Sequence, residues 1–167
     1  AVELSESERS AVLALCSAAY EVDFTSIMAT FQEPVHLLAF EGGALVGHAL
    51  WVTRWLQPGK LPALRTAFVE AVATNPAQWG TGIGTALMRE VNREIAGFDL
   101  GGLSPAQPGL YERTGWEHWR GPLSIRLPDG GLLPTPDETV MILRLPATPP
   151  LDLRAPLSAE LRVGDLW

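Results

Sequence analysis

The apolar and polar positions divide the chain into segments of two different periods. From Ser5 to Tyr20 the apolar Val12, Leu13, Leu15, Cys16 and Ala19 form a broad stripe at helical spacing, which predicts a helix. Glu21 to Phe31 predicts a short second helix around Phe24, Ile27, Met28 and Phe31, with Asp23 at its entrance. Val35 to Phe40 and Ala44 to Trp55 are apolar runs of strand length, joined by the hairpin signal Glu41-Gly42-Gly43. Leu56 to Pro62 contains Pro58-Gly59 and Pro62 and reads as a loop. Ala63 to Thr74 follows as a strand. Its Ala67–Ala73 part is apolar on both faces except at Glu70, the pattern of a central strand.

Asn75-Pro76 breaks that strand, and Trp79-Gly80-Thr81-Gly82-Ile83-Gly84 opens a helix predicted over residues 80–96. Its apolar Ile83, Leu87, Val91 and Ile95 recur every four residues. Phe98 to Leu103 is a strand that leaves through Ser104-Pro105. Gln107 to Thr114 is a short helix with Pro108 in its first turn and Gly115 closing it. Trp116 to Leu127 and Thr139 to Leu145 are strands, separated by Pro128-Asp129-Gly130-Gly131 and Pro134-Thr135-Pro136. Residues 146–156 are proline-rich and extended, and Leu157 to Trp167 alternates imperfectly, as an added edge strand would. Little room is left before residue 5 for a first strand. A strand meander, a strand–helix–strand unit and a hairpin predict an α/β (α+β) protein with one mixed sheet in a single domain, residues 1–167.

The composition narrows the class. At 167 residues, 47% of them hydrophobic, the chain is long and apolar enough for a core. No apolar run reaches the ~18 residues of a membrane span, and the N-terminus lacks a signal-peptide layout. The single Cys16 excludes an internal disulfide and reads as a small core residue. These features fit a cytoplasmic protein with no membrane partner. A net charge of −7 argues against nucleic acid, which favours a basic stripe. It is compatible with a cationic small molecule, and equally with plain solubility. His36, His48 and His118 lack metal-ligand spacing, so no metal is expected. Trp51, Trp55, Trp116 and Trp119 read as core or sheet-face residues.

The glycine loop is the candidate chemistry. Strand, glycine-rich turn and helix start together form an anion cradle, because a helix N-terminus offers unpaired N–H groups and the positive end of a dipole. A phosphate loop of the Lys-Ser/Thr type is excluded, since Thr85 and Ala86 follow Gly84. Glycines at 80, 82 and 84 also miss the dinucleotide spacing. A helix entered through a flexible glycine turn is the plain alternative. The loop does resemble the pyrophosphate loop of the GNAT acyltransferases: Arg or Gln, two residues, Gly, one residue, then Gly or Ala. Gly82 and Gly84 match the small positions. Trp79 occupies the Arg/Gln position, with Gln78 one residue early.

Further segments resemble one group within that superfamily, the aminoglycoside 2′-N-acetyltransferases. They are Val69–Thr74 (VEAVAT), Leu110–Trp116 (LYERTGW), Trp119–Pro122 (WRGP), Pro134–Val140 (PTPDETV) and the ending Gly164-Asp165-Leu166-Trp167. The stretch from Ser104 to Tyr111 departs, being about two residues shorter than the usual turn of that group. The resemblance implies a GNAT fold, a mixed, mostly antiparallel central sheet flanked by helices, and a possible homodimer. It implies direct acetyl transfer from acetyl-CoA to the 2′-amine of a polycationic aminoglycoside, an antibiotic-resistance activity that leaves coenzyme A. It also implies a C-terminal tail, residues 146–167, returning to the active site.

Residue roles carried by the resemblance are these. Acetyl-CoA lies along Val72, Ala73 and Thr74 through main-chain hydrogen bonds, with its pyrophosphate on Trp79, Gly80, Thr81, Gly82, Ile83, Gly84 and Thr85. A bulge at Glu70–Ala71 splays the central strand, and the acyl carbonyl finds a main-chain N–H there. Glu70, the only acid between Lys60 and Arg89, is the candidate base, directly or through water, on an apolar strand expected to raise its pKa. Pairing with Arg65 or Arg113 is its structural alternative. Tyr111 is the candidate acid at the leaving thiolate, or else a helix tyrosine packed on the sheet. Asp23, Ser104, Asp137, Glu138, Asp165 and the terminal carboxylate of Trp167 are expected acceptors for the substrate, alongside Glu70 and Ala71. Asp23 is equally an N-cap, and Asp137 and Glu138 equally solvated turn acids. Two other functions fit less of the pattern. A GNAT enzyme acetylating a polyamine or peptide needs no fixed tail, and a non-catalytic acetyl-CoA or aminoglycoside binder needs neither Glu70 nor Tyr111.

Overall fold

The computed structural model describes residues 4–167; the reading of the chain before residue 5 falls largely outside them. The chain divides into two compact units that share two long strands. One takes in the chain up to Val52 together with Val69–Arg93, the other Thr53–Phe68 together with Glu94–Trp167.

The first unit begins with α1 (Glu6–Tyr20), entered through a capping box in which Ser5 and Glu8 exchange hydrogen bonds. Glu21, at φ 57°, ends it in the left-handed conformation. The expected eleven-residue second helix shrinks to α2 (Thr25–Met28). The left-handed Glu21 and an Asp23 side chain committed to the Thr25 N–H confine it to one turn, and Thr30 Oγ1 caps the Ile27 carbonyl at its end. Then come β1 (Val35–Glu41), β2 (Ala44–Pro58), β3 (Leu64–Thr74) and α3 (Ile83–Glu94). β1 and β2 form the predicted antiparallel hairpin through Gly42 and Gly43, both at positive φ. Gly47 of β2 is where α3 comes down. A Cβ there would lie 3.2 Å from Ala39 Cβ and 3.4 Å from Ile83 Cγ2, so only glycine lets the helix approach this closely. Of the predicted apolar positions Leu87 and Val91 are buried on α3, Ile95 is buried just after its end and Ile83 is half-buried. Its first turn starts at Ile83, later than expected, because Gly80 and Gly82 stand at φ 83° and 94°.

The second unit holds the rest of β2 and β3, then β4 (Leu100–Leu103), α4 (Gly109–Glu112), β5 (Glu117–His118), β6 (Leu123–Arg126), β7 (Leu132–Pro134), β8 (Met141–Arg144) and β9 (Leu157–Glu160). Hydrogen-bonded neighbours run β5-β8-β4-β3 and β2-β9-β6-β7. The pairs β3/β4 and β6/β9 are parallel, while β4/β8, β5/β8, β6/β7 and β2/β9 are antiparallel. The sheet is therefore mixed and mostly antiparallel, as expected. Gly101 and Gly102 of β4 leave space for neighbours. Added Cβ atoms would meet Trp116 Cη2 at 3.1 Å and Phe68 Cδ2 at 2.9 Å.

Four expectations in this unit need correction. β2 does not end at Trp55 in a loop; Leu56 is buried, Gln57 and Pro58 pair with β9, and Gly59 makes the turn. Trp116–Leu127 is not one strand, because Arg120 and Gly121 both donate to the Leu153 carbonyl. A Cβ at Gly121 would stand 1.9 Å from the Ala155 oxygen. Leu132–Pro134, for which no strand was expected and whose Pro134 was placed in a separating turn, pairs with β6 and is the outer strand of that run. β9 is inserted between β2 and β6, so the tail supplies an interior strand rather than an edge.

Candidate active site

The first unit carries the glycine loop and the acid. β3 is buried on both faces from Thr66 to Val69, Glu70 is half-buried, and the strand then kinks. Ala71 has φ 50°, one of three non-glycine residues at positive φ among those described. For a residue with a Cβ this conformation is uncommon, and inside a strand it re-aims the following peptide unit. The kink falls at the Glu70–Ala71 step, where the family resemblance implied a bulge. The Ala71 carbonyl accepts from His48 Nδ1 at 2.9 Å, and the Val72 carbonyl from Tyr20 Oη at 3.0 Å. The Thr74 carbonyl accepts from the Trp79 indole at 3.2 Å. Each carbonyl retains a second lone pair.

Beyond β3, Asn75 caps a turn at Pro76–Gln78, and its side chain accepts from Ala77 N–H. Thr81 then folds back onto the Gln78 carbonyl through both its N–H and its hydroxyl. Gln78 itself is drawn off to the Glu41 carboxylate at 2.5 Å, so it is not held ready beside the helix start. Trp79 is 62% exposed, and Gly80, Thr81 and Gly82 are exposed. Nothing lies within 4 Å of where a Cβ would stand on Gly80 or Gly82. An open, side-chain-free approach to the N-terminus of a twelve-residue helix has the donor chemistry a pyrophosphate requires.

Asp23 is exposed. Its carboxylate accepts from Thr25, and those hydrogen bonds hold it below the usual carboxylate range. The N-cap position is Phe24, so Asp23 stands one residue before it and its carboxylate closes a local turn onto the Thr25 N–H rather than capping α2. Cys16 is buried against His48, Sγ to Nδ1 at 3.5 Å, and burial pushes its thiol up to about 12. At that value it is a protonated core residue rather than a nucleophile.

The second unit carries Tyr111 and the tail. Tyr111 lies on α4, half-buried, its ring edge-on to Trp116 with centroids 6.5 Å apart. Its carbonyl gathers the N–H groups of Thr114 and Trp116, closing the turn that Gly115 completes at φ 93°. Burial pushes the phenol up to about 12, so it stays protonated at neutral pH. Ser104, Asp137, Glu138 and Asp165 are all exposed. Trp167 is the opposite case, 4% exposed, with its indole N–H on Thr135 Oγ1 at 2.8 Å.

Sequence reasoning missed what secures this tail. Arg54, on β2, is 1% exposed. It donates from Nη1 to the Leu166 carbonyl at 2.8 Å and from Nη2 to the Glu160 carbonyl at 2.9 Å. Its Nε faces Glu160 Oε1 at 3.4 Å. Its guanidinium lies 4.9 Å from the Phe68 ring centre and 5.9 Å from that of Trp167. The available signal was a lone arginine within the apolar run Ala49–Leu56. Of the tryptophans weighed as core residues, Trp51, Trp116 and Trp119 are buried and Trp55 is half exposed. Among the described residues no cluster of three or more His, Cys, Asp or Glu is placed to hold a metal ion. No helix among them is long and apolar enough to cross a membrane.

Comparison with known proteins gives a consistent picture. A family model described as an acetyltransferase (GNAT) domain matches residues 2–119. Over 174 aligned positions the chain is 34% identical to an aminoglycoside 2′-N-acetyltransferase of Mycolicibacterium fortuitum, covering 99% of this chain and 88% of that one. In fold it is similar to a GNAT family N-acetyltransferase (YhbS) of Escherichia coli solved in complex with CoA. The TM-score is 0.65 at 17% identity, over 95% of this chain and 87% of that one. Eis1 of Mycobacterium abscessus shares the fold at TM-score 0.63 and 22% identity, over 73% of this chain. This chain spans only 32% of its length.

Proposed function

From the premise that this chain belongs to the GNAT acetyltransferase family, we propose that it transfers acetyl from acetyl-CoA to the 2′-amine of aminoglycosides. The observation that carries the substrate is the 34% identity, spanning nearly the whole chain, to an aminoglycoside 2′-N-acetyltransferase. A net charge of −7 suits a polycationic acceptor.

Bound acetyl-CoA supplies the acetyl group as a thioester. In this reading Val72–Thr74 hold its arm by main-chain hydrogen bonds, and the N–H groups of Trp79–Thr85 receive its pyrophosphate. Glu70 takes the proton that an ammonium must lose before its nitrogen can attack, directly or through a water. The main chain at the Ala71 kink donates to the acyl oxygen as charge develops there. Tyr111 is a weaker acid than was expected of a free tyrosine. A phenol near 12 does not release its proton outright to a thiolate whose conjugate thiol titrates near 8.5. Its part is a hydrogen bond from Oη to the departing sulfur, which leaves as the thiolate and takes up the proton that the attacking nitrogen sheds as the amide forms. Asp23, Ser104, Asp137, Glu138 and Asp165 are the acceptors assigned to the substrate's ammonium and hydroxyl groups. The buried Trp167 holds the last of them, Asp165, close in sequence to a fixed point.

The test is thiol release from acetyl-CoA against paired aminoglycosides that differ in bearing a 2′-amine or a 2′-hydroxyl. Turnover of the amine member alone is expected. Equal kcat/KM for both members overturns the positional assignment, and turnover of neither overturns the substrate class.

A further inference from the structure

Two histidines that the sequence offered no role for, a half-buried His36 and a buried His48, form a chain leading to the kinked strand. His36 sits on β1 and His48 on β2, and the hairpin register makes them diagonal neighbours two residues apart on one face, His48 opposite Leu38 and His36 opposite Leu50. His36 Nδ1 lies 3.0 Å from His48 Nε2, and His48 Nδ1 lies 2.9 Å from the Ala71 carbonyl oxygen. His48 is completely buried.

The carbonyl decides the tautomers. An amide oxygen only accepts, so His48 Nδ1 must carry the proton. In the neutral ring Nε2 is then an acceptor, and the proton between the rings belongs to His36 Nδ1. Burial pushes His48 down to about 4 and lowers His36 as well, with Arg9 contributing to the latter, so both rings are neutral at physiological pH. Cys16 Sγ, 3.5 Å from the same Nδ1, is a minor second acceptor on the far side of the ring contact.

A planar trans peptide fixes the rest. The carbonyl of Ala71 and the N–H of Val72 point in opposite directions, so holding one inward aims the other outward. Ala71 is also the residue at φ 50°, a conformation that costs energy for alanine and persists only when its surroundings enforce it. A completely buried imidazole bonded to that carbonyl is such an enforcement. We infer that His48 is a positioning residue for acetyl transfer: its Nδ1–H holds the Ala71 carbonyl and so aims the Val72 N–H at the acyl oxygen of the bound thioester, with His36 fixing the tautomer. The inference rests on the acetyl-CoA reading above. It adds a requirement which that reading does not contain, since a GNAT enzyme can bind its cofactor without any histidine behind the strand.

The experiment compares binding of coenzyme A with binding of a methyl-ketone analogue of acetyl-CoA, which keeps the carbonyl but cannot react. Titration calorimetry is run on the wild-type chain, His48→Asn and His48→Leu. Asparagine places an amide N–H where Nδ1 stood, whereas leucine keeps bulk without a donor. The wild type is expected to prefer the ketone analogue to coenzyme A. His48→Leu is expected to lose that preference by about fivefold or more, with coenzyme A affinity unchanged, and its kcat to fall by about tenfold or more. His48→Asn should recover most of both. Nitrogen-15 spectra of the wild-type histidines ask the same question without a substitution, and should show His48 protonated at Nδ1 and bare at Nε2. A retained ketone preference in His48→Leu, or the opposite tautomer in the wild type, overturns the inference while leaving acetyl-CoA binding intact. A wild type that binds neither nucleotide overturns the acetyl-CoA reading and this inference with it.

Discussion

Replacing Arg54 with methionine should loosen the tail more than any other single change in the second unit. The methionine keeps much of the apolar stem against Phe68 but removes every donor. Two carbonyls, those of Glu160 and Leu166, lose hydrogen bonds of 2.9 and 2.8 Å from a guanidinium that is 1% exposed. Bonds to a charged donor contribute about 1.5–3 kcal/mol each. Removing one partner of a buried charged set costs about 3–5 kcal/mol. The lower end applies here because Glu160 is partly exposed and water can reach its carboxylate. Domains of this length have net stabilities of about 5–15 kcal/mol, so the loss is a large share. At about 2–4 °C per kcal/mol, a loss of about 3 kcal/mol should lower the melting temperature by roughly 6–12 °C. Circular dichroism melts measure that. Limited trypsin digestion localises it, since cleavage after Arg162 should accelerate while cleavage after Arg89 or Arg93 on α3 should not. A variant that melts within about 2 °C of wild type, with unchanged cleavage at Arg162, would show that the tail is held by Trp167 alone.

Four further outcomes follow from the sites described. Tyr111→Phe should lower kcat by roughly 10- to 100-fold with little change in either KM, and Glu70→Gln should shift or flatten the limb of the pH–rate profile that reports amine deprotonation. Wild-type rates and profiles would remove both side chains from the chemistry. Gly82→Val places a β-branched residue at φ 94° and should raise KM for acetyl-CoA well above any effect on the aminoglycoside KM; equal effects on the two would detach the loop from the cofactor. His48 titrates near 4 in the folded chain against 6.5 unfolded, so below pH 6.5 the unfolded chain takes up the proton first. Its contribution, on the order of 3 kcal/mol, is complete above pH 6.5 and is lost as pH falls toward 4. Urea titrations across that window should show the slope in wild type and a shallower one in His48→Asn, and parallel slopes would contradict the burial argument.

Local patterns carried most of the architecture. The four-residue spacing on α3 and the Gly42-Gly43 hairpin are decided by neighbours in sequence, and each appears in the structure. The failures share a physical cause, since all depend on distant chain. β2 continues past Trp55 because β9 pairs with it, and Trp116–Leu127 breaks because the Leu153–Ala155 backbone presses on Gly121. The candidate site divides in the same way. The glycine loop was legible as a run of residue types, and the break at Glu70–Ala71 only through the family resemblance. Arg54, His36 and His48 were not, because a lone polar residue in an apolar strand discloses neither its partner nor its tautomer. For Arg54 those partners lie 106 and 112 residues away.

The central claim is the position of acetylation, and the structure of the product tests it most directly. An aminoglycoside carrying amines on several rings is incubated with the chain and acetyl-CoA, and the isolated product is assigned by two-dimensional NMR. The account predicts a single acetyl group, on the 2′ nitrogen, with every other amine unmodified. A product acetylated at another amine, or at several, would contradict it.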